Sequence, residues 1–349
     1  MQRLKSFLPI LLTLGIGVIG VFALRFINAP MPWLLGSILA IMVASRFTSI
    51  PIASPKYFSA PSRAILGITI GSAFRPEILN YLGDFVSSLV LIIPFVFLTT
   101  ACGMWYYVKI LKFDKITAYF SAIPGGLLEM ATLAESFSLN LYKVVITQSS
   151  RLLFMIFLLP FVLEYFLHIS LDARKGITQP LMQTNFMDMF LIAVLAFVGW
   201  KGALKLKIPG GTLIGPMVIG AFAYSLDILH SRPPSELLNI IQLILGSSIG
   251  FVFVGVSYKE IFKVLSQTLG YFIILIAICS LFMMSVWWMT DFPLLSIMLA
   301  FAPGGQAEMN LIAIVVGANL PYVALHHIVR LFLVIGIAPV LVRLVKRDK

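Results

Sequence analysis

Residues 124–130 read PGGLLEM, and residues 303–309 read PGGQAEM. One ungapped offset, 179, relates the second copy to the first and holds from about residue 30 to about residue 160. Pairs at this offset include Gly36 with Gly215, Gly67 with Gly246, Pro30 with Pro209 and Asn140 with Asn319. Internal similarity at one fixed spacing is the signature of repeated structure. We therefore predict a tandem duplication with one repeat at 1–175 and the other at 176–349.

The composition predicts an all-α polytopic membrane protein. The chain has 349 residues, of which 60% are hydrophobic and only 11% are charged, whereas soluble domains contain about 25% charged residues. Long apolar runs recur along its whole length, as transmembrane helices require. The formal net charge is +11, but the basic residues stand singly or in threes between apolar runs. This pattern is typical of topology signals, and it provides no basic domain for direct contact with nucleic acid.

The apolar segments define the expected membrane helices. The first run, from Phe7 to Ile27, follows Arg3 and Lys5 as a secretory signal would. It nevertheless corresponds to the internal run 186–205 at the repeat offset, so we interpret it as the first transmembrane helix. The other segments are 31–46, 60–74, 84–108, 116–138, 141–164, 186–200, 210–226, 237–256, 264–290, 294–317 and 319–342.

Charge placement predicts the orientation of the two repeats. We expect five crossings per repeat, with 116–138 and 294–317 forming broken or re-entrant hairpins. With a cytoplasmic amino terminus, most Lys and Arg residues then fall on the cytoplasmic side, and the carboxyl terminus is cytoplasmic too. The loop 109–115 is basic, whereas Asp291 is the only charged residue in the equivalent loop of the second half. Opposite charge bias in equivalent loops indicates inverted repeats, which are typical of secondary transporters in the cytoplasmic membrane.

The repeated motif also predicts a site within the membrane. Pro-Gly-Gly interrupts an apolar run and leaves a helix amino terminus at Gly126 and at Gly305, where an anion is favoured. If each hairpin folds back near Asn140 or Asn319, the motif glutamate and the arginine downstream of it lie at similar depth. The pair is then either a structural ion pair or part of a transport pathway. The predicted pathway residues are Glu129, Arg151, Glu308, Arg330, His326, His327 and Asn310, and the predicted helix breaks are Pro124, Gly125, Gly126, Pro303, Gly304 and Gly305.

Polar residues near the second motif leave alternatives open. His326 and His327 stand one turn before Arg330, and their equivalents are Thr147 and Gln148. A membrane histidine either relays protons or packs as a hydrogen-bonded residue, and we expect one of the two to line the cavity. The four histidines of the chain form no metal-binding pattern, and we predict neither a cofactor, a metal nor a catalytic residue.

Two glycine-rich segments have two interpretations as well. Residues 67–71 read GITIG, and their equivalents 246–250 read GSSIG. Small residues allow close helix packing in lipid, which is the favoured interpretation. The alternative is backbone opened beside a substrate cavity.

The Pro-Gly-Gly-x-x-Glu-Met motif in both halves, with Arg151 and Arg330 downstream, resembles the duplicated AbrB-type family of bacterial membrane proteins. The resemblance covers nearly the whole chain. It implies a polytopic membrane protein whose relatives are labelled either as regulators of gene expression or as ammonia monooxygenases. It implies no established catalytic residues.

Three functions follow as hypotheses. The first is a secondary transporter or permease for a small polar or charged solute, coupled to protons or sodium. The second is a membrane protein that acts in the regulation of gene expression. The third is a membrane oxidoreductase of the ammonia monooxygenase type, for which the sequence offers no metal ligands. The expected partners are the lipid bilayer, a small-molecule or ion substrate and, as an alternative left open, a second copy of the chain.

Overall fold

The fold is almost entirely helical. This computed structural model describes residues 2–47, 50–74, 82–126, 130, 131, 134, 135, 141–169, 171 and 178–347. Within these ranges β-type pairing is confined to an isolated bridge between Gln179 and Pro234. The all-α class predicted from composition is therefore confirmed.

The α-helices of the described residues are numbered in chain order. The first half contains α1 (Gln2–Phe26), α2 (Pro32–Ala44), α3 (Lys56–Gly71), α4 (Leu82–Val90), α5 (Ile92–Lys109), α6 (Lys115–Ala122) and α7 (Leu141–Phe161), which continues as a π-helical turn at Val162–Phe166. The second half contains a 3₁₀ turn at Leu181–Gln183, then α8 (Phe186–Lys205), α9 (Gly211–Ser225), α10 (Ser235–Phe251), α11 (Tyr258–Met289), α12 (Leu294–Phe301), α13 (Gln306–Val316) and α14 (Leu320–Arg347).

Several helix ends have a local cause in the sequence. Asp114 caps α6 by accepting a hydrogen bond from the backbone N–H of Thr117 at 2.9 Å, which satisfies one of the open donors of the first turn. Asn319 caps α14 in the same way through the N–H of Tyr322. The predicted span 84–108 is divided at Leu91, because Pro94 cannot donate to the carbonyl of residue 90 and its ring crowds that carbonyl.

Among the described residues, six helical segments are long and apolar enough to cross a membrane. They are Phe7–Phe26, Phe85–Lys109, Leu141–Phe166, Phe186–Lys205, Tyr258–Met289 and Leu320–Pro339. Shorter apolar helices lie at Pro32–Ala44, Gly211–Ser225, Ser235–Phe251 and Gln306–Val316. The chain is therefore a membrane protein by the length and composition of its helices. Five crossings per repeat and the orientation of the termini stay predictions.

The chain forms two compact units. The first unit comprises Met1–Arg75, Ile156–Ile261 and Ile314–Gly317, and the second comprises Pro76–Met155, Phe262–Ala313 and Ala318–Lys349. Each unit therefore contains helices from both predicted repeats. The repeat boundary at residue 175 is a statement about sequence, and it stays a prediction.

Close backbone contacts hold the first unit together. A Cβ atom on Gly67 of α3 would lie 2.4 Å from the carbonyl oxygen of Leu213 in α9. A Cβ atom on Gly246 of α10 would lie 2.6 Å from the carbonyl oxygen of Leu34 in α2. Both contacts join a helix of one half to a helix of the other. The two contacts are equivalent with the halves interchanged, because positions 246 and 213 correspond to 67 and 34 at the repeat offset. The packing interpretation of these glycine-rich segments is confirmed, since α3 and α10 run through them as continuous helices.

The second unit is built around buried aromatic side chains. Phe85, Phe292 and Tyr322 pack against each other, with the rings of Phe292 and Tyr322 stacked at 4.3 Å between centroids. Phe95 and Phe301 meet edge to face at 5.4 Å. These contacts join helices α4, α5, α12 and α14 around the helix breaks described below.

Candidate functional site

Both Pro-Gly-Gly motifs interrupt a helix within the second unit. The helix α6 ends at Ala122, and Ile123 continues in an extended conformation with ψ 133°. The helix α12 ends at Phe301, followed by Ala302 with ψ 135°. After the second break the helix α13 begins, and Met309 donates to the carbonyl of Gly305 at 3.0 Å. After the first break Met130 donates to the carbonyl of Gly126 at 2.9 Å.

Each motif arginine binds the carbonyl groups that its helix break exposes. Arg151 on α7 donates to the carbonyl oxygens of Ile123 at 3.1 Å and Gly125 at 3.2 Å. Both groups lie at the carboxyl end of α6, where the helix dipole is negative. In a membrane such carbonyl groups need an internal partner. The guanidinium of Arg151, only 5% exposed, supplies that partner.

The same arrangement recurs at the second break. Arg330 on α14 donates to the carbonyl oxygens of Ala302 and Gly304, both at 2.8 Å. These two acceptors correspond to Ile123 and Gly125 at the repeat offset, as Arg330 corresponds to Arg151. The two breaks therefore make equivalent contacts, and the tandem duplication stays a prediction from the sequence.

A second donor accompanies each arginine. Gln148 donates from Nε2 to the carbonyl oxygen of Phe120 at 2.7 Å. At the equivalent position, Nε2 of His327 lies 3.0 Å from the carbonyl oxygen of Leu299. An amide and an imidazole thus perform one task, the capping of a helix end. The sequence showed that the two positions differ between the halves, and it did not predict their common task.

The hydrogen bonds of His327 determine its tautomer. A carbonyl oxygen only accepts, so Nε2 carries the proton that is donated to Leu299. Nδ1 then accepts from the guanidinium of Arg330, whose terminal nitrogen lies 2.7 Å away. Protonation of Nδ1 would break this bond. The geometry favours the packing alternative for His327 over proton relay.

His326 belongs to a separate buried network. Its Nδ1 lies 2.7 Å from the carbonyl oxygen of Tyr322 and must donate to it, while Nε2 lies 2.6 Å from the hydroxyl of Ser88. The hydroxyl of Tyr322 also bonds that of Ser88. The chain Tyr322 to Ser88 to His326 is therefore satisfied with a neutral ring. This network joins α4 to α14 among aromatic side chains. These contacts favour a packing role for His326.

The acid of the second motif lies at the amino end of α13. A Cβ atom on Gly305 would lie 2.0 Å from Oε2 of Glu308, so this carboxylate is in contact with the glycine. The side chain of Leu152, next to Arg151 on α7, also reaches Gly305. Glu308 is only 6% exposed. An acid is thereby held at the positive end of a helix, where an anion would be favoured.

Several buried polar atoms around the breaks have no hydrogen-bond partner among the described residues. Near the first break they are Nε of Arg151, Oγ of Ser121, Oγ of Ser149 and Oε1 of Gln148. Near the second they are Nε2 of Gln306 and Oδ1 of Asn310. Buried polar groups are almost always satisfied in proteins, and exceptions mark sites where another molecule binds or where function requires them.

The structure brings several of the predicted pathway residues, but not all of them, into one region. Leu152, next to Arg151 on α7, reaches Gly305 of the second break. Arg330, His327 and Glu308 lie on the elements of the second break, and Asn310 follows on α13. Glu129 and Asn140 lie outside the described residues, as do Leu127 and Leu128. Sequence reasoning missed Tyr271 and Ser88 as members of the network.

Tyr271 caps a further carbonyl at the first break. Its hydroxyl lies 2.8 Å from the carbonyl oxygen of Ala122 and 3.1 Å from that of Thr99. A tyrosine within the long apolar helix α11 gave no sequence signal, since its equivalent in the first half is Ile92. Within the described part of the chain, no group of three or more His, Cys, Asp or Glu residues is placed to hold a metal ion.

Comparison with known proteins agrees with the motif. Residues 33–346 match the family model described as "Transition state regulatory protein AbrB". The chain is 25% identical over 383 aligned positions to "Uncharacterized protein YhjN" of Bacillus subtilis strain 168, with 100% of this chain and 98% of that protein covered. It is 26% identical over 324 positions to "Putative regulator AbrB" of Escherichia coli strain K12, with 91% of each covered. Because the family model spans nine tenths of the sequence, this helical membrane protein belongs to the AbrB family.

Proposed function

We propose that the chain is a secondary carrier of the cell membrane that moves a small anion together with protons. The observation that carries this proposal is the pair of helix breaks, each capped by a buried arginine. Discontinuous helices that meet within a membrane protein are typical of substrate sites in secondary transporters. Buried arginines and the amino end of α13 both favour negative charge near these breaks.

The arginine contacts favour an anion over a coupled sodium ion. In sodium-coupled carriers, exposed carbonyl groups of broken helices coordinate the ion. Here the carbonyl groups of Ile123, Gly125, Ala302 and Gly304 are held by guanidinium groups. The guanidinium group is a permanent cation, so these positions already contain their positive charge. A further cation at the same carbonyl groups would meet electrostatic repulsion.

Glu308 offers a means of coupling to protons. Its carboxylate contacts Gly305 at the amino end of α13 and competes with an anion for the same positive region. When Glu308 is protonated, the competing negative charge disappears and the anion binds more tightly. Binding of the anion and of the proton then favour each other, and this mutual effect is reciprocal by linkage. The expected cycle is symport of an anion with a proton.

Flux measurements on purified protein in liposomes test this proposal. Small carboxylates and inorganic phosphate are supplied as a panel, with a proton gradient of either sign, and charge movement or uptake is recorded. Glu308→Gln is expected to retain exchange of the anion but to lose uptake driven by the proton gradient. Glu260→Gln, an exposed acid at the start of α11, is the matched control. Proton-driven uptake by the Glu308 variant at the wild-type rate would contradict the coupling.

The orientation of the carrier is part of the same proposal. We place both termini in the cytoplasm and the connection near residue 175 outside, as two inverted repeats require. A reporter enzyme fused after residue 175 is expected to be active only on the outer face. Activity on the side of both termini would rule out the inverted arrangement.

A role in gene regulation is the second candidate, favoured by the name of the Escherichia coli relative. The two candidate functions differ in whether the effect on transcripts requires transport by the protein. A deletion strain is complemented with wild type or with the uncoupled Glu308→Gln variant, and transcripts are compared. Restoration of the transcript pattern by the uncoupled variant would favour a regulatory role that does not depend on transport.

A further inference from the structure

A cavity in the first unit carries an inference that does not depend on the transport proposal. The cavity has a volume of about 360 Å³, which lies within the range of small-molecule sites. Its lining combines a cation, an acid, an amide and an aromatic ring, namely Arg25, Glu164, Gln242 and Trp33. All four belong to the first unit.

The chain turns sharply beside this cavity. The helix α1 ends with Asn28 in the left-handed region at φ 51°, and Ala29 donates to the carbonyl of Leu24 at 2.9 Å. This is the pattern of a Schellman helix end. It leaves Arg25 in the last turn of α1. The turn then delivers the chain to the start of α2, which also lines the cavity.

The amino end of α2 faces the cavity without a side-chain cap. Met31 occupies the cap position with φ 44° and provides no side-chain hydrogen bond. Pro32 has no N–H to donate. The amides of Leu34 and Leu35 both bond the carbonyl of Met31. Residues of this first turn line the cavity. Because these amides are occupied, the amino end of the 13-residue helix offers an anionic group the positive end of its dipole rather than a row of free donors.

Gln242 provides an independent sign of a ligand. It lies on α10, is only 1% exposed and lines the cavity. Its Nε2 has no hydrogen-bond partner among the described residues. Such a buried donor needs an acceptor. An anionic group between Gln242, Arg25 and the amino end of α2 would satisfy it.

Glu164 makes a simple anion a poor match. Its carboxylate lines the same cavity and would repel a ligand with negative charge alone. A ligand with an ammonium group as well would meet Glu164 with that group and Arg25 with its anionic group. The opposite charges of the lining are thus matched by a zwitterion.

The position of the cavity relates it to the membrane surface. Arg25 lies at the end of the candidate span Phe7–Phe26, and Glu164 lies near the end of Leu141–Phe166. Beside them, Phe26 is 89% exposed and Phe166 is 78% exposed. Large apolar side chains next to charged ones are expected where lipid tails give way to headgroups.

We propose that this cavity binds a small zwitterion, with its ammonium group at Glu164 and its anionic group at Arg25, Gln242 and the amino end of α2. This chemistry is shared by the headgroup of phosphatidylethanolamine and by free amino-acid-like solutes. The surrounding exposed Phe26 and Phe166 favour the lipid headgroup as the source.

Binding of phosphoethanolamine to detergent-purified protein tests the proposal, by calorimetry and by the rise in unfolding temperature that a ligand produces. Glycerol phosphate lacks the ammonium group, and ethanolamine lacks the phosphate. We expect phosphoethanolamine to bind at least about tenfold more tightly than either, since each end adds a charge-assisted contact. Equal binding of glycerol phosphate and phosphoethanolamine would overturn the zwitterion assignment.

Variants locate the binding in the cavity. Arg25→Gln and Glu164→Gln are each expected to remove the preference for phosphoethanolamine, and Gln242→Leu to weaken its binding about tenfold. Lys205→Gln is the matched control, because Lys205 is an exposed cation in the last turn of α8 and does not line the cavity. Gln242→Glu retains the size of the side chain but repels phosphate, so it serves if the leucine variant fails to fold. Wild-type binding by the Arg25 and Glu164 variants would refute the site.

Two further arms identify the source of the zwitterion. Protein in nanodiscs of phosphatidylethanolamine is compared with protein in phosphatidylglycerol, and β-alanine is tested as a free zwitterion. Stabilisation by phosphatidylethanolamine that depends on Arg25 and Glu164 assigns a lipid headgroup. Binding of β-alanine with no preference between the lipids assigns a free solute. Absence of binding by all of these probes would reject the proposal.

Discussion

Replacement of the two motif arginines by methionine should destabilise the protein unequally. Arg330→Met leaves three buried acceptors without their donor, namely the carbonyl groups of Ala302 and Gly304 and Nδ1 of His327. Arg151→Met leaves one, the carbonyl of Gly125. The carbonyl of Ile123 keeps bonds from Gln148 at 3.0 Å and from the backbone N–H of Gly125.

The size of the difference follows from these counts. A buried acceptor without a partner costs about 1–3 kcal/mol, and hydrogen bonds measured within membrane proteins fall towards the low end. At about 1 kcal/mol for each acceptor, Arg151→Met costs about 1 kcal/mol and Arg330→Met about 3 kcal/mol. Both arginines are 5% exposed, so the relief from removing a buried charge is similar in the two variants and cancels in the comparison. The expected difference is about 2 kcal/mol.

Unfolding of each variant by SDS in mixed micelles, followed by circular dichroism, measures this difference. Arg151→Lys and Arg330→Lys serve as controls that keep a charge but lose the planar fork of donors. An equal loss of stability in the two methionine variants, or a larger loss for Arg151→Met, would refute the hydrogen-bond account of these breaks.

Three further outcomes are expected from unfolding experiments. His327→Gln introduces the residue type found at the equivalent position and should change stability by less than about 1 kcal/mol, whereas His327→Leu should cost about 1–3 kcal/mol because a buried carbonyl loses its donor. Asp114→Ala should cost about 0.5–2 kcal/mol through loss of the helix cap, and Asp114→Asn much less. Burial alone would raise the pKa of Asp114, but hydrogen bonds from Thr117 hold that pKa below its usual value. The stability that Asp114 adds relative to alanine is thus complete above about pH 4, and it is lost as the pH falls through the lowered pKa. Unfolding of both proteins at a series of pH values measures this difference. Gly67→Ala should lower the unfolding temperature markedly, since its Cβ would lie 2.4 Å from a backbone oxygen, while Gly15→Ala, with nothing within 4 Å, should be tolerated; equal effects of the two glycine substitutions would contradict the close packing.

The composition of the two units has a consequence for assembly. In the first unit, Gly67 of one half packs against α9 of the other, and Gly246 packs against α2. A glycine face that approaches another backbone so closely gains stability mainly from van der Waals contact with that partner. Neither half by itself provides both partners. The first unit is therefore complete only when both halves of the chain are present.

The helix breaks are features that the sequence could predict. Three consecutive residues of low helix propensity, Pro-Gly-Gly, disfavour a continuous helix, so the interruption at residues 302–305 could be predicted from residue types alone. The turn at 317–319 could be predicted too, and Asn319 caps the helix that follows. Apolar content similarly determined the helical membrane class, because the hydrocarbon interior accepts few other structures.

The sequence by itself determined the helices, their interruptions and the residues that recur at one offset, because these depend on local backbone chemistry and on total apolar content. Only the tertiary structure decided which hydrogen-bonding groups and which helices contact each other. It directs Arg330 to the carbonyl groups of Ala302 and Gly304, assigns Gln148 and His327 the same capping task, and combines helices of both halves in each unit. Such pairings depend on distances between residues far apart in the chain. A periodic pattern specifies which face of a helix is apolar, but not which helix covers it.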